Sequence, residues 1–287
     1  LDSKHDVVYL TDCAEAGKAY SLEIEAYCNE MEVDRYIHNF SVSELCVLDR
    51  EIEDGFFDFR CLFDIMNSPN TKADVQSAFL LELQKAISFV NLYELDNSTF
   101  KQGLSAARQY LQAHVYRSGR FPVEGRLNMI GHSHLDLVYQ WDYNEFLRKI
   151  GRTHSTALNL MKEFPDYLFS QSQLKLYEDM KALYPEMYER VRKRVAEGRW
   201  EVIGSMYVEP DCNLIAGESL IRQLQIGLQI SREEFNVDSS VCWLPDVFGN
   251  AWFMPQILKK AGFRYFITNK PVIWNDTNEF PYSTFWW

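Results

Sequence analysis

Nothing in this 287-residue sequence reads as a membrane span, a leader or a nucleic-acid surface. No run of about 18 apolar residues occurs, the length a transmembrane helix needs. Residues 1–9 carry no basic start leading into a long apolar stretch. Basic residues are in deficit, 29 Lys and Arg against 41 Asp and Glu, for a formal net charge of −12. Such a surface repels phosphate backbones and anionic headgroups, so neither nucleic acid nor a membrane is expected as a partner. The six cysteines include no CxxC pair and lie in apolar, strand-like contexts rather than at metal-ligand spacing. They are expected to be reduced, buried thiols of a cytoplasmic protein.

What is present supports a folded chain. A hydrophobic share of 47% with 24% charged residues is ordinary globular composition, and the length exceeds one average domain, so two units are expected. The chain starts at Leu1 and stops on Trp286 and Trp287 after an apolar, strand-like run, from which further chain is expected. Tyr20, Leu22, Ile24 and Ala26 alternate with polar residues, the period of a strand with one buried face. Val7–Leu10, Leu45–Leu48 and Phe56–Phe59 read as shorter strands, with Asp54-Gly55 as a hairpin turn. Residues 1–66 are therefore expected to form a small β domain. Apolar residues at Val75, Phe79, Leu83, Ala86, Ile87 and Val90 predict a helix, and a second is predicted from an N-cap at Thr99 to about Val115. These form a helical connector over 67–122.

From Leu127 short apolar runs alternate with long amphipathic segments, the pattern of βα units. The runs are Leu127–Ile130, Tyr167–Ser170, Trp200–Ile203, Val241–Leu244 and Tyr265–Ile267. Tyr184, Met187, Tyr188, Val191 and Val195 form one helical stripe, ended by Gly198; Leu220, Ile221, Leu224 and Leu228 form another. Five such units imply a parallel sheet, open or closing into a barrel, whose active site lies at the carboxyl ends of its strands. Each run is followed by a polar cluster: the first by Gly131–Asp136, then Gln171-Ser172-Gln173, Glu209–Asn213, Pro245–Gly249 and Thr268-Asn269-Lys270. His134 and Asp136, two apart, share a face in extended backbone and can reach one ion; Asp246 is the natural third ligand. His132 shares that face and is read as a support ahead of a ligand.

The stretch from Asn128 to Trp287 resembles the N-terminal catalytic region of family 38 α-mannosidases. The likeness is carried by GHSHLD at 131–136, Gly198–Val202, Val208-Glu209-Pro210-Asp211-Cys212-Asn213, Gly217–Gln223, Trp243–Gly249 and Pro255–Leu258. It implies an α/β chain whose residues 123–287 are the first portion of a metal-dependent catalytic domain, a parallel β/α barrel of the seven-stranded type. It further implies a divalent metal, usually zinc, on His134, Asp136 and Asp246, with a later histidine as fourth ligand; no histidine follows His154 here. Asp246 matches the family's nucleophile, and the acid/base carboxylate belongs to a later segment, so this stretch alone is expected to lack a complete active site. Tyr139 stands where many members have Trp, and Met206-Tyr207 where they have Met-Trp, which bears on substrate preference.

The activity so implied is retaining hydrolysis of terminal α-linked mannose, with the metal on the cis 2- and 3-hydroxyls and Asp246 attacking the anomeric carbon. Tyr139 and Phe248 are expected to wall the sugar, and Glu209 and Asp211 to accept its hydroxyls. An α-mannoside oligosaccharide is the expected partner, and self-association stays open. Two alternatives carry the same residues: a metal-dependent deacetylase or amidohydrolase, which would attack with metal-activated water, and an inactive carbohydrate-binding homologue.

Overall fold

The computed structural model of the chain describes residues 10–11, 13–23, 44–93, 95, 98–121, 125–273 and 280–287. The chain divides into two compact units, one of residues 36–128, the other of residues 1–35 with 129–287.

The first unit is helical: α1 (Arg50–Asn67), α2 (Ala73–Ile87) and α3 (Ser98–Leu111), which runs on into a π-helical turn, Gln112–Tyr116. This corrects the hairpin expected at Asp54-Gly55 and the strand at Phe56–Phe59, both of which lie within α1. The physical reason is a better period than two. Asp49 caps the helix by accepting from the Glu51 and Ile52 amides, and Gly55, Phe59, Leu62 and Met66 then recur every three or four residues on the packed face. Leu45–Leu48 forms no strand and is exposed. Of the run from Tyr20 to Ala26, residues 20–23 are exposed without strand pairing, and the remainder lies outside the described residues, as do Val7, Val8 and Tyr9. The two connector helices form as expected, except that Thr99 sits inside the first turn of α3 rather than capping it. Their core is Leu62, Phe79, Leu83, Ala86, Ala107, Leu111 and Val115. Glu82, buried beside it, accepts from Tyr110 Oη at 2.5 Å and Arg120 Nη1 at 2.6 Å. Hydrogen bonds from Tyr110 and then Arg120 hold its carboxyl below the usual range.

The second unit alternates strands and helices: β1 (Gly131–His132), α4 (Tyr143–Glu163), β2 (Phe169–Gln171), α5 (Leu174–Leu183), α6 (Pro185–Ala196), β3 (Trp200–Val202), α7 (Gly217–Phe235), β4 (Val241–Leu244), α8 (Met254–Lys260), β5 (Tyr265–Thr268) and α9 (Lys270–Ile273). Every pairing is parallel, as βα units require. The strands form a three-stranded sheet, β1-β2-β3, and a two-stranded sheet, β4-β5, rather than one continuous sheet. The first strand begins at Gly131; Leu127, Met129 and Ile130 are exposed.

Helix α4 shows why the segments between strands are helical. Asp142 caps it by accepting from the Glu145 amide at 2.8 Å, and Phe146, Ile150, His154, Ala157, Leu158 and Met161 form one buried stripe. That stripe packs with α5, α6, β2 and β3 around Tyr177, Val191 and Trp200. The Trp200 indole donates to Tyr177 Oη, which donates to the Gln171 carbonyl, so these two buried donors are satisfied in a chain that ends on β2. Helix α6 ends as expected, with Gly198 in the left-handed region at φ +72°. In α7, Leu220, Leu224 and Leu228 are buried against β4 and α8, whereas Ile221 faces solvent at 48% exposure. Of the cysteines, Cys212 and Cys242 are buried free thiols, but Cys13, Cys46 and Cys61 are exposed, contrary to the expected burial; Cys28 lies outside the described residues. Among the described residues no helix is long and apolar enough to cross a membrane.

Candidate metal centre

The five polar clusters lie at or after the carboxyl ends of β1 to β5. Three of their side chains converge: one ligand atom each from His134, Asp136 and Asp246 lies within 4.8 Å of the others. His134 Nε2 is 3.2 Å from Asp136 Oδ1 and 3.6 Å from Asp246 Oδ2. One imidazole nitrogen and two carboxylates are a donor set suited to a borderline divalent cation such as zinc. Burial opposes a positive charge on His134, but the nearby carboxylates of Asp136 and Glu209 outweigh it and push its pKa up to about 10. The cluster is therefore a place that favours a cation, and it fits a metal ion.

The loop carrying His134 and Asp136 is clamped from the end of β2 and the residues just after it. Gln171 Nε2 donates to the Ser133 carbonyl at 2.8 Å and Gln173 Nε2 to the Leu135 carbonyl at 2.7 Å. These carbonyls alternate with His134 and Asp136, so two buried amides fix the backbone on which both candidate ligands ride. Gln173 does so with its backbone at φ +69°, an uncommon conformation for a residue other than glycine. His132 is engaged at both nitrogens. The Trp243 indole can only donate, so His132 Nε2 accepts from it at 3.1 Å and Nδ1 carries the proton given to the Ser170 carbonyl at 2.9 Å. Burial lowers its pKa. It is a neutral brace between β1 and β4, in line with its reading as a support.

Lys270, noted in the sequence as part of a polar cluster but given no role, places Nζ 2.7 Å from Asp246 Oδ1 and 4.7 Å from the centre of the Phe248 ring. Its only sequence signal was its position just after β5. Tyr139 is exposed and stands edge-on to Trp141 at 5.7 Å, while Trp141 packs on the main core and donates to the Asp136 carbonyl. Phe248 is also exposed. Two residues expected at the sugar have partners within the chain. Asp211 Oδ1 accepts from the Asn213 and Leu214 amides and ties its own loop. Glu209, with its side chain 5% exposed, accepts from Ser172 Oγ through Oε1 and faces His134 Nδ1 with Oε2. Of the α7 residues within the Gly217–Gln223 stretch, Glu218 and Arg222 pair with each other on the surface. Gln223 instead accepts from the Val208 amide through Oε1 and from the Tyr207 amide through its carbonyl, pinning the segment that leads to Glu209.

Residues 124–287 match the glycosyl hydrolases family 38 N-terminal domain. Over 97% of this chain the sequence is 30% identical to "Alpha-mannosidase G" of Dictyostelium discoideum, covering 26% of that protein. Over 86% of this chain it is 33% identical to "Alpha-mannosidase 2C1" of Homo sapiens, covering 23% of that protein. The chain thus spans about a quarter of the length of the curated relatives it matches. Among solved structures, an alpha-mannosidase from Enterococcus faecalis V583 is 28% identical over 48% of this chain and 16% of its own, with a TM-score of 0.46.

Proposed function

Because the chain belongs to glycosyl hydrolase family 38, we propose that the full-length protein is a retaining α-mannosidase and that this chain supplies its nucleophile and three of its metal ligands. The supporting observation is the meeting of His134, Asp136 and Asp246 within 4.8 Å, inside the stretch that matches the family. Residues 123–287 are then the first portion of the catalytic domain, its sheets part of a seven-stranded β/α barrel, and residues 67–122 its helical approach. His134, Asp136 and Asp246 hold one divalent ion, zinc by the chemistry of the donor set. Bound there, the ion supplies a Lewis-acid anchor for vicinal sugar hydroxyls.

The rest falls to the protein. Asp246 attacks the anomeric carbon; the carbon–oxygen bond to the leaving group breaks as the ester forms, a separate acid protonates the departing oxygen, and water then hydrolyses the glycosyl ester. Lys270 pairs with Oδ1 of Asp246 and fixes the plane of the carboxylate as it changes from anion to ester. Tyr139 and Phe248, exposed near the ligands' loops, offer rings to the sugar. Asp211 offers its second oxygen to a hydroxyl. The substrate class is a terminal α-mannoside, and free thiols at five cysteines support a reducing, cytoplasmic setting.

The deciding experiment uses the full-length protein with an aryl α-mannoside. Asp246→Asn is expected to leave the fold intact and remove nearly all turnover, since an amide cannot form the glycosyl ester, and a fluorinated mannosyl trap should label Asp246. A label on another residue, or release of acetate rather than mannose from acetylated sugars, would overturn the assignment.

A further inference from the structure

Two polar atoms beside the three ligands are buried with no aligned partner: His134 Nδ1 and Glu209 Oε2. They lie 3.1 Å apart, within reach of a hydrogen bond but not aligned in one. Each is thus the group best placed to satisfy the other. Glu209 is held for this from behind: its Oε1 accepts from Ser172 Oγ at 2.5 Å, and Ser172, 1% exposed, directly follows β2. Its loop is pinned by Gln223 of α7. An ionised carboxylate only accepts, so the nitrogen that faces it must carry the proton. Nε2, the nitrogen that looks toward Asp136 Oδ1 and Asp246 Oδ2, is then the one whose proton a divalent cation shared with those carboxylates would replace.

We infer that Glu209 is a positioning residue that holds His134 through Nδ1, fixing the tautomer and ring orientation that aim Nε2 at a divalent ion shared with Asp136 and Asp246. It touches neither substrate nor ion. Carboxylates behind ligand histidines act in this way in metal sites generally, by fixing the ring and raising its basicity. The inference rests on the metal reading proposed above, and the test separates the two.

The 287-residue chain is titrated with zinc against a chromophoric chelator, with folding followed by far-ultraviolet circular dichroism and the His134 tautomer read by ¹⁵N imidazole spectra. Glu209→Leu is expected to weaken zinc binding by roughly 10–100-fold. Glu209→Gln, which keeps an oxygen able to accept from Nδ1–H, is expected to restore most of it. The unmutated, zinc-loaded chain is expected to show Nδ1 protonated. Zinc binding by Glu209→Leu equal to that of the unmutated chain would overturn the inference alone. So would a spectrum with Nε2 protonated and Nδ1 on the metal, which needs no variant to fold. Equal zinc binding by the unmutated chain and His134→Ala would instead remove the metal reading itself.

Discussion

His154 shows what a single buried histidine does to this fold. It is fully buried in α4, with Nδ1 donating to the Ile150 carbonyl at 2.7 Å and its ring 5.5 Å from that of Trp200. Burial, only partly opposed by that hydrogen bond, lowers its pKa to about 4 from the ordinary 6.5. On falling pH the unfolded chain takes up this proton first, so the stabilising contribution is complete above about 6.5 and is lost between 6.5 and 4. Between pH 7 and pH 5 the loss is about 2 kcal/mol. Urea denaturation at the two pH values should show that loss in the parent chain and a smaller one in His154→Leu; identical losses would mean that the ring is protonated when folded. In sequence, His154 is one polar letter in an apolar stripe, and nothing separates it from His134 except context. For His134 the context differed, since an HxD after an apolar run at a strand's end placed two candidate ligands on one loop. Glu209 was legible as a residue of the functional edge, but its direction was not. Whether a carboxylate faces a crevice or a neighbouring histidine depends on Ser172 and Gln223, which lie 37 residues before it and 14 after it in the chain.

Elements were legible where one period ran long enough and misread where apolar letters clustered. Phe56, Phe57 and Phe59 look like a strand when counted in isolation; set after the Asp49 cap and followed by Leu62 and Met66, they belong to a helix. Helix α7 was legible from its leucines, but its closest approach was not. A Cβ on Gly227 would collide with the Ser205 carbonyl and the Met206 backbone, in the segment joining β3 to Glu209. The helix carries a glycine there so that it can lie directly on that backbone while Gln223 pins the next residues. Gly227→Ala would favour an isolated helix by about 1 kcal/mol, yet here it is expected to destabilise the fold by roughly 1–3 kcal/mol through overpacking. Because the displaced segment leads to Glu209, zinc affinity should fall as well. Denaturant midpoints and zinc titration check both, and a variant as stable as the parent would show that α7 can move aside without cost.

At the scale of the whole unit, residues 129–287 hang their candidate ligands on loops after short strands of two to four residues, which by themselves bury little and pair weakly. The parallel order was legible because each strand is followed by a helix; the separation into β1-β2-β3 and β4-β5 was not, because which strands become neighbours depends on long-range packing rather than on local period. The two sheets are bridged at the site itself: Trp243 of β4 donates to His132 of β1, and the candidate ligands come from the loops after β1 and after β4. An ion shared by His134, Asp136 and Asp246 would therefore tie one sheet to the other. Binding the folded form alone stabilises it by RT ln(1 + [L]/Kd), about 2.7 kcal/mol when free zinc is 100 times Kd. Hydrogen exchange followed by mass spectrometry is expected to show this as slower exchange with zinc in residues 131–136 and 241–249 together, reversed by a chelator and absent in His134→Ala. Protection confined to 131–136 would mean that the ion is held on one loop and leaves Asp246 out. Equal protection in His134→Ala would mean that zinc acts elsewhere on a chain of net charge −12.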